Sequence, residues 1–573
     1  MSDTNQHEAP SGMGISTRCP APMRNGVCGR SSLGPLIDGI PYCLMHIPLE
    51  KDNNAFQVEF ERIPNEAQAG NHDADFTGFV FPQAWYQRRE FKVRCLFSEA
   101  TFTRPADFSM STFKQGADFN HAKLIRRADF HSAGFEGVTW FNGAVFSGRI
   151  LFDSAAFKEP VMFTGASFAE KAQFITSVFS KEADFTGTTF TLGVDFDNAN
   201  FDGEAYFDWA TFTKAGNFSH ATFKDKVSFC EATFVEGAGF WKAKFEKYVD
   251  FTAATFKEAA FFPSTAFGEL VDFARARFLG SVEFAETRFR QDESRLPGPA
   301  FYMTEFSKPE AVLFRKTYLG QALFHNCNIS KVNFSSVAWR ERPGNGKRMA
   351  FEEEVDLNDK TAVALKLKEG EPNERDYSLI TVLYQQLKKN YDDHMDYSVG
   401  DEFHYGEMEM KRLYSQSRNV LVRWLRRNLG LVALYKYASE YGNSYVRPVL
   451  MLGVVFAVFT LLFPLAGLER SENSKQLISS GVAVVVNASA VGPDLSYRHF
   501  GDFAKGHQER KWLSVARFFG NSLMTTLSVA GFQKELKYEP SYPWGRALAL
   551  IEVLFTSALV ALFLLAVRRQ FRR

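Results

Sequence analysis

The fold is decided by residues 183–196, which read ADFTGTTFTLGVDF. This stretch places Phe185, Phe190 and Phe196 at a step of five residues and then a step of six. The chain has 60 phenylalanines in 573 residues, so a periodic structure must be using them. The eleven-residue unit is too short for a helical-pair repeat and does not fit the period of an amphipathic helix. The pattern therefore predicts a β-solenoid.

The same alternation forms a ladder from Phe97 to Phe289. Phe301 and Phe306 restart it, and from Phe314 the steps are a plain five residues. Small or β-branched side chains stand two residues before the ladder positions: Ala183, Thr188, Val194, Ala199, Ala205 and Ala210. One large and one small inward residue at each step describe a square coil with a phenylalanine at the centre of each face.

Short units within the ladder carry a family resemblance. They read Ala183-Asp184-Phe185, Val194-Asp195-Phe196, Gly216-Asn217-Phe218, Val249-Asp250-Phe251 and Val271-Asp272-Phe273. This pattern resembles the pentapeptide-repeat family, whose fold is a right-handed quadrilateral β-helix. The family's plain form repeats every five residues, whereas alternate turns here hold one extra residue. The resemblance implies a solenoid over 70–340 with about eleven coils between Phe97 and Trp339, which makes a rod of roughly 50 Å.

The charge of the chain is balanced, with 66 basic and 66 acidic side chains. Some pentapeptide-repeat proteins mimic DNA, which needs a strongly acidic surface, so the balance argues against that role and against a nucleic-acid partner. The rings are expected to form the core and to leave no apolar area for a ligand. We therefore expect an unidentified protein partner on the faces of the β-helix. No catalytic triad, phosphate loop or carboxylate pair indicates an enzyme.

Three cysteines and one histidine cluster near the N-terminus: Cys19, Cys28, Cys43 and His46. The last two form a C-x-x-H hook, which lets one short loop offer two ligands to one ion. Prolines and glycines surround them, and so small a module needs a metal in place of a core. We predict a structural zinc module over 19–50 after a disordered leader at 1–18. Reduced cysteines in a flexible leader are the alternative.

The ladder ends after Trp339, and a cytosolic helical connector is predicted over 370–445. Apolar residues recur at steps of three and four over 379–391, which predicts a helix. A second helix is predicted over 402–412, after a turn at 397–401. We expect the two helices to pack as a hairpin.

Two parts of the connector point to a membrane. Residues 384–390, which read YQQLKKN, and the Glu-Met-Glu-Met run at 407–410 look like the connector of membrane-bound pentapeptide-repeat proteins. Leucines mixed with arginines around Trp424 predict an amphipathic helix along the inner membrane interface.

Residues 446–573 hold two stretches long enough to cross a bilayer, 448–468 and 547–567. Arginines lie before the first stretch and after the second, so the positive-inside rule predicts cytosolic N- and C-termini in an inner or plasma membrane. The scarcity of cysteines, six in the chain, agrees with a reducing compartment.

An apolar helix at 512–527 lies between the two stretches, is too short to cross, and looks re-entrant. This order resembles the two-transmembrane potassium-channel pore-loop domain, in which backbone carbonyls of a Thr-Val-Gly-Tyr-Gly filter follow the pore helix. The matching residues here are Thr525, Thr526, Ser528, Val529, Ala530, Gly531 and Phe532. The two filter glycines do not align, and glycine is the residue that holds such a backbone most readily. The resemblance implies a homotetramer.

Glu552 interrupts the second stretch, and an intramembrane carboxylate is a functional hypothesis by default. Similar channel domains carry a glutamate near this point, so Glu552 is expected to brace the pore loop. The alternatives are that it reaches the headgroups or pairs with Arg546 or Lys534.

Two functions follow from these patterns. The first is an ion channel whose cytosolic β-helix senses a signal or binds a partner. The second is a membrane-anchored protein-binding scaffold that does not conduct.

Overall fold

The computed structural model describes residues 18–23, 26–28, 40, 42–47, 52–291, 297–353, 377–414, 419–466, 468–470, 511–531, 538–540 and 542–571. The chain divides into two compact units, Met1–Asn390 and Tyr391–Arg573. Each unit is described by itself.

The first unit is a solenoid with four faces, and each face is a sheet of parallel strands. The chain crosses every face once per coil, and the four faces are called A to D in chain order. Thr112 pairs with Gly134 and Ala117 pairs with Thr139, so one coil takes 22 residues. The predicted four-sided solenoid is confirmed.

Most strands are two residues long and recur at intervals of 22 residues. Face A holds Ala74–Asp75, then Cys95–Leu96 through Val271–Asp272, then Pro299–Ala300. Face B holds Val80–Phe81, then Thr101–Phe102 through Arg277–Phe278, then Glu305–Phe306. Face C runs from Ala84–Trp85 through Gly216–Asn217, then Gly237–Gly239, Ala259–Phe261, Val282–Ala285, Val312–Arg315 and Asn333–Ser335. Face D runs from Glu90–Phe91 through Ala266–Phe267.

Phenylalanine rings fill the interior in stacks that follow the axis of the solenoid. Phe113 lies 5.0 Å from Phe135, with ring planes 1° apart. Rings on opposite faces meet edge to face across the interior, as Phe119 of face A and Phe130 of face C do at 5.8 Å and 87°. Both arrangements are favourable for aromatic pairs. The small residues two positions earlier, such as Ala183, are also buried, so the predicted inward pairs are confirmed.

The corners explain why steps of five and six alternate. Each five-residue step turns through a residue with positive φ, such as Glu99 at 59° or Met110 at 57°. Glycine takes this position at Gly187, where φ is 64°. The six-residue steps place their extra residue at the other two corners, as the step pattern predicts.

The solenoid begins one coil before the strict ladder, at Ala74. Face C therefore has twelve strands and the solenoid about twelve coils, one more than the ladder predicts. Tyr86 fills a ladder position in this first coil and is buried. Beyond Phe314 the coil shortens to 20 residues, because Phe314 pairs with Phe334. The predicted change to plain spacing is confirmed.

Helix α1, Asn53–Gly70, precedes the first coil and was not predicted. The Asp52 side chain caps it by accepting hydrogen bonds from the backbone amides of Asn54 and Ala55. Phe60 stacks on Tyr86 at 4.5 Å. The buried residues of α1 are Phe56, Phe60, Ile63 and Ala67.

The C-terminal end of the solenoid is covered by a hairpin, Arg340–Glu341 with Arg348–Met349, and by α2, Tyr377–Asp393. The Gln386 side chain accepts from the Ile329 amide at 2.7 Å. Asn390 Nδ2 donates to the carbonyls of Ile329 at 3.0 Å and Val332 at 2.6 Å. The side-chain amides of Gln386 and Asn390 therefore bond to backbone groups that would otherwise pair with a further strand.

The described residues of the second unit form helices and one short strand pair, Leu468–Arg470 with Tyr538–Pro540. Its helices are α3 (Tyr397–Leu413), α4 (Val420–Leu429), α5 (Leu431–Ser439), α6 (Val446–Leu462), α7 (Lys511–Ala530) and α8 (Pro543–Gln570). The predicted turn at 397–401 is wrong, because α3 already begins at Tyr397, where Asp396 caps the amide of Val399 at 3.3 Å. The Tyr391 and Phe403 rings, which both belong to this unit, lie 5.4 Å apart.

Candidate functional site

The cysteine and histidine cluster is the most sharply defined candidate site. The ligand atoms of Cys19, Cys28, Cys43 and His46 all lie within 4.8 Å of one another. Three of these side chains are buried, and Cys28 is half-buried. The structure thus brings together all four residues named by the sequence. None of the six cysteines, all of which lie in the described residues, forms a disulfide.

The distances in the cluster can be compared with those of a tetrahedral site. Cys28 Sγ lies 3.7 Å from Cys43 Sγ, and Cys19 Sγ lies 3.7 Å from His46 Nδ1. Cys43 Sγ lies 3.2 Å from His46 Nδ1. Zinc bonds of about 2.3 Å to sulfur and about 2.0 Å to nitrogen set tetrahedral ligand atoms about 3.5–3.8 Å apart. Two of these three separations fall in that range, and the third is slightly shorter.

Backbone contacts join the cluster to the first coil of the solenoid. His46 Nε2 lies 3.1 Å from the carbonyl oxygen of Thr77. The Val80 amide donates to the Met45 carbonyl at 2.8 Å. The His46 ring meets the Phe79 ring edge to face at 5.0 Å. The Thr77 carbonyl is a functional group that sequence reasoning missed, because nothing local in the sequence marks it.

The surroundings of the Cys43 thiol favour its protonated form. A hydrogen bond with Cys28 and, secondarily, burial raise the pKa of Cys43 above its usual range. A cation that binds this sulfur must therefore displace a proton.

A second candidate region lies in α6 and α8. The segment Val446–Ala466 and helix Pro543–Gln570 are the two helical segments in the described residues long and apolar enough to cross a membrane. Large apolar side chains project outward from both of them. The exposed ones include Val449, Leu450, Val454 and Leu461 on α6 and Leu550, Leu554, Phe555 and Leu564 on α8.

Helix α7 packs against both α6 and α8. Val529 of α7 joins Phe459 and Phe463 in a buried apolar cluster. Ser522 Oγ donates to the Thr460 carbonyl at 2.6 Å. Hydroxyl and apolar contacts together therefore hold α7 within this helix set.

The candidate filter residues lie at the end of α7. Thr525, Thr526, Ser528, Val529 and Ala530 are helical, and the Gly531 amide continues the pattern by donating to the Leu527 carbonyl at 3.0 Å. This differs from the extended, carbonyl-inward backbone that the resemblance implies, because a helix uses its carbonyls in its own hydrogen bonds. Phe532 lies outside the described residues.

Glu552 lies on α8 and is fully buried. Neither carboxylate oxygen has a hydrogen-bond partner among the residues that the structure describes. Leu548, Ala549 and Val553 of the same helix pack in the apolar cluster of α6 and α7. Lys534, one alternative partner, is outside the described residues.

Helices α4 and α5 form an amphipathic pair before α6. Val420, Leu421, Trp424, Leu429 and Leu431 are exposed. The Arg427 side chain donates to the Leu413 carbonyl, and the Arg412 side chain donates to the Arg427 carbonyl. These two hydrogen bonds fix the helix pair to α3. The predicted amphipathic helix is therefore present as two consecutive helices.

A buried polar network ties α3 to α5 and to the end of α8. Glu409 accepts from Arg412 at 2.8 Å, Lys436 at 3.1 Å and the Tyr441 hydroxyl at 2.5 Å. Arg569 of α8 pairs with Asp401 of α3. Sequence reasoning did not find this network, whose members are far apart in the chain.

Comparison with known proteins identifies the class of the first unit. A four-faced coil of this kind with a phenylalanine core is a β-solenoid. The family model described as pentapeptide repeats (9 copies) matches residues 97–145, 163–208 and 196–244. The chain therefore contains pentapeptide repeats.

Two solved structures of QnrB1, described as a plasmid-mediated fluoroquinolone resistance protein, are similar to parts of the chain. The full-length structure is 11% identical, with 45% of this chain and 92% of that chain covered at a TM-score of 0.12. A trypsin-treated form is 11% identical, with 46% and 87% covered at a TM-score of 0.11. No curated protein matches the chain.

Proposed function

We propose that this chain is a membrane-anchored pentapeptide-repeat protein whose cytosolic solenoid binds a protein partner. The observation that carries this proposal is the outward apolar surface of α6 and α8. Their large exposed side chains form a surface that a soluble protein would bury. A lipid bilayer is the environment that removes this surface from water.

The proposed topology places both termini and the solenoid in the cytosol, at an inner or plasma membrane. Arg568 and Arg569 follow the apolar part of α8, and Arg447 precedes that of α6. The exposed apolar side chains of α4 and α5 would rest in the same interface, beside Arg423 and Arg426.

A protein partner fits the solenoid surface better than a polyanion does. Opposite charges pair between coils, as Glu136 does with Lys114 at 3.0 Å and Lys158 at 2.8 Å. Such pairing leaves no extended field of one sign. The faces therefore offer mixed polar surfaces of the kind that protein interfaces use.

Membrane insertion is tested by Leu554→Arg, which places a charge on the outward surface of α8. A charge at mid-span costs about 2.5–3.5 kcal/mol on insertion scales, so the fraction resisting alkaline extraction from membranes should fall. Leu192→Arg is the control, because Leu192 is also an exposed leucine but lies on the solenoid. Alkaline release of the wild-type chain would overturn membrane anchoring.

A pore is the second candidate function, and two observations favour it. Helix α7 packs against both candidate spans, and Glu552 of α8 is buried without a hydrogen-bond partner among the described residues. If the protein is a pore, four copies of the chain would surround the ion path, and the solenoid would sense the gating signal. The helical backbone at 525–530 means that ions would be held by side chains or by residues beyond Gly531.

Ion flux into liposomes holding the purified protein separates the two functions. Flux that is abolished by Ala530→Trp, with Leu192→Trp unaffected, supports the pore. No flux over a range of voltages and cations supports the non-conducting scaffold.

A further inference from the structure

We propose that Cys19, Cys28, Cys43 and His46 bind one Zn²⁺ ion, and that the module held by this metal closes the N-terminal end of the solenoid. The inference concerns the first unit alone. It does not depend on membrane anchoring or conduction.

The donor set selects the metal. Three thiolates and one imidazole form a closed tetrahedral shell, the arrangement of structural zinc sites. The separations of 3.7 Å between Cys28 and Cys43 sulfurs and between Cys19 sulfur and His46 Nδ1 match that shell. No position is left for a water ligand, so the site is structural.

The His46 ring is oriented for this role by the solenoid itself. Nε2 donates to the Thr77 carbonyl at 3.1 Å, which leaves Nδ1 without its proton and directed at the three sulfurs. In most metal-binding histidines, a hydrogen bond from the ring nitrogen that does not bind the metal fixes the tautomer. Because Thr77 belongs to the first coil, the same bond joins the metal ligand to the solenoid.

The module lies on backbone that would otherwise be an open edge. No described strand precedes the first coil in its sheets, yet the Val80 amide donates to the Met45 carbonyl at 2.8 Å. Met45 is fully buried, and His46 covers the edge of the Phe79 ring. An uncovered solenoid edge is a template for pairing with another chain.

Few other side chains are buried in the described part of the module. Apart from the ligands, its buried side chains in the described residues are Ala21 and Met45. A segment of this size cannot offset the entropy of ordering with two apolar side chains. The metal bonds supply the missing stabilisation.

Metal analysis of the purified full chain tests the site. We expect one zinc per wild-type chain, loss of the zinc in Cys28→Ser, and full retention in Cys230→Ser, a half-buried cysteine outside the cluster. Cobalt exchanged into the wild type should show the intense visible absorption of a tetrahedral thiolate site. Equal zinc content in the wild type and Cys28→Ser would overturn the site.

Hydrogen exchange tests the closing role separately. After zinc is removed by a chelator, amides at 74–81 should exchange at least tenfold faster, while those at 183–196 stay unchanged and report an intact solenoid. Added zinc should restore the slow rate. Unchanged exchange at 74–81 in zinc-free protein would overturn the end-closing role, whatever the metal content.

Discussion

At the scale of single residues, the burial of the phenylalanines could be predicted from composition and spacing, whereas the burial of the Glu352 carboxyl group could not. Phe185 and its counterparts repeat at steps that only one class of fold explains, so their burial could be predicted. Glu352 could not be predicted as buried, because it stands in an acidic run that reads as surface. In the structure it is 1% exposed and accepts a hydrogen bond from the Phe324 amide.

The buried Glu352 makes stability depend on pH. Burial raises the pKa of Glu352 from 4.5 to about 7, so the folded state holds this proton more tightly than the unfolded state. The stabilisation is therefore complete below pH 4.5 and is lost as pH rises through 7. The lost free energy of unfolding is at most about 3 kcal/mol.

Glu352→Gln should remove this dependence. The amide oxygen keeps the bond from Phe324 and carries no charge, so the variant should unfold at higher denaturant than the wild type at pH 8 and equally at pH 4.5. Denaturant titration monitored through the first unit measures the difference. Glu231→Gln, at an exposed corner, is the control. An equal pH slope in wild type and Glu352→Gln would contradict the expectation.

At the scale of elements, local spacing decided what could be predicted. The helical periods at 379–391 and 402–412 were sufficient to predict that α2 and α3 exist. They did not predict where α3 begins, because its start depends on the capping side chain of Asp396. Helix α1 was not predicted, although Phe56, Phe60, Ile63 and Ala67 have helical spacing. The phenylalanine ladder, from which the solenoid was predicted, begins only after this helix. The cysteine and histidine cluster was predicted from spacing, but its contact with the solenoid through the Thr77 carbonyl depends on the fold.

The amide pair on α2 carries the next prediction. Asn390→Asp replaces the Nδ2 donor by an oxygen that faces the carbonyls of Ile329 and Val332. Leaving two buried carbonyls opposite a carboxylate should lower the free energy of unfolding by about 2–4 kcal/mol. Hydrogen exchange over 377–390 should then accelerate by tenfold or more.

Asn345→Asp is the matched control for that change. Asn345 uses only its oxygen, which accepts from the Lys347 amide at 3.2 Å, and aspartate keeps that bond. If both variants exchanged alike over 377–390, the amides of α2 would not be what holds this end of the solenoid.

At the scale of the whole molecule, the sequence was informative about periodic parts and uninformative about the polar contacts between distant segments. The ladder and the two apolar spans repeat a simple rule and were predicted. The filter expectation came from an order of elements, and the structure instead continues α7 as a helix through Ala530. The contacts of Asp401 and Glu409 with residues far along the chain have no local signal.

The ion pair between Asp401 and Arg569 supports the last prediction, which concerns the second unit. Arg569 also donates to the Tyr441 carbonyl at 3.1 Å, so it joins the end of α8 to α3 and to the segment after α5. Arg569→Glu would set two carboxylates against each other. The lost charge-assisted bond is worth about 1.5–3 kcal/mol, so exchange over α3 should rise by about tenfold or more.

Two further variants isolate the contact from general charge effects. Arg568→Glu makes the same change in charge at the neighbouring exposed residue, and it should leave exchange over α3 unchanged. The swap Asp401→Arg with Arg569→Asp should recover part of the lost protection, because it restores opposite charges at the same positions. If Arg568→Glu and Arg569→Glu had equal effects, the net charge at the end of α8 would account for the loss and the specific pair would not.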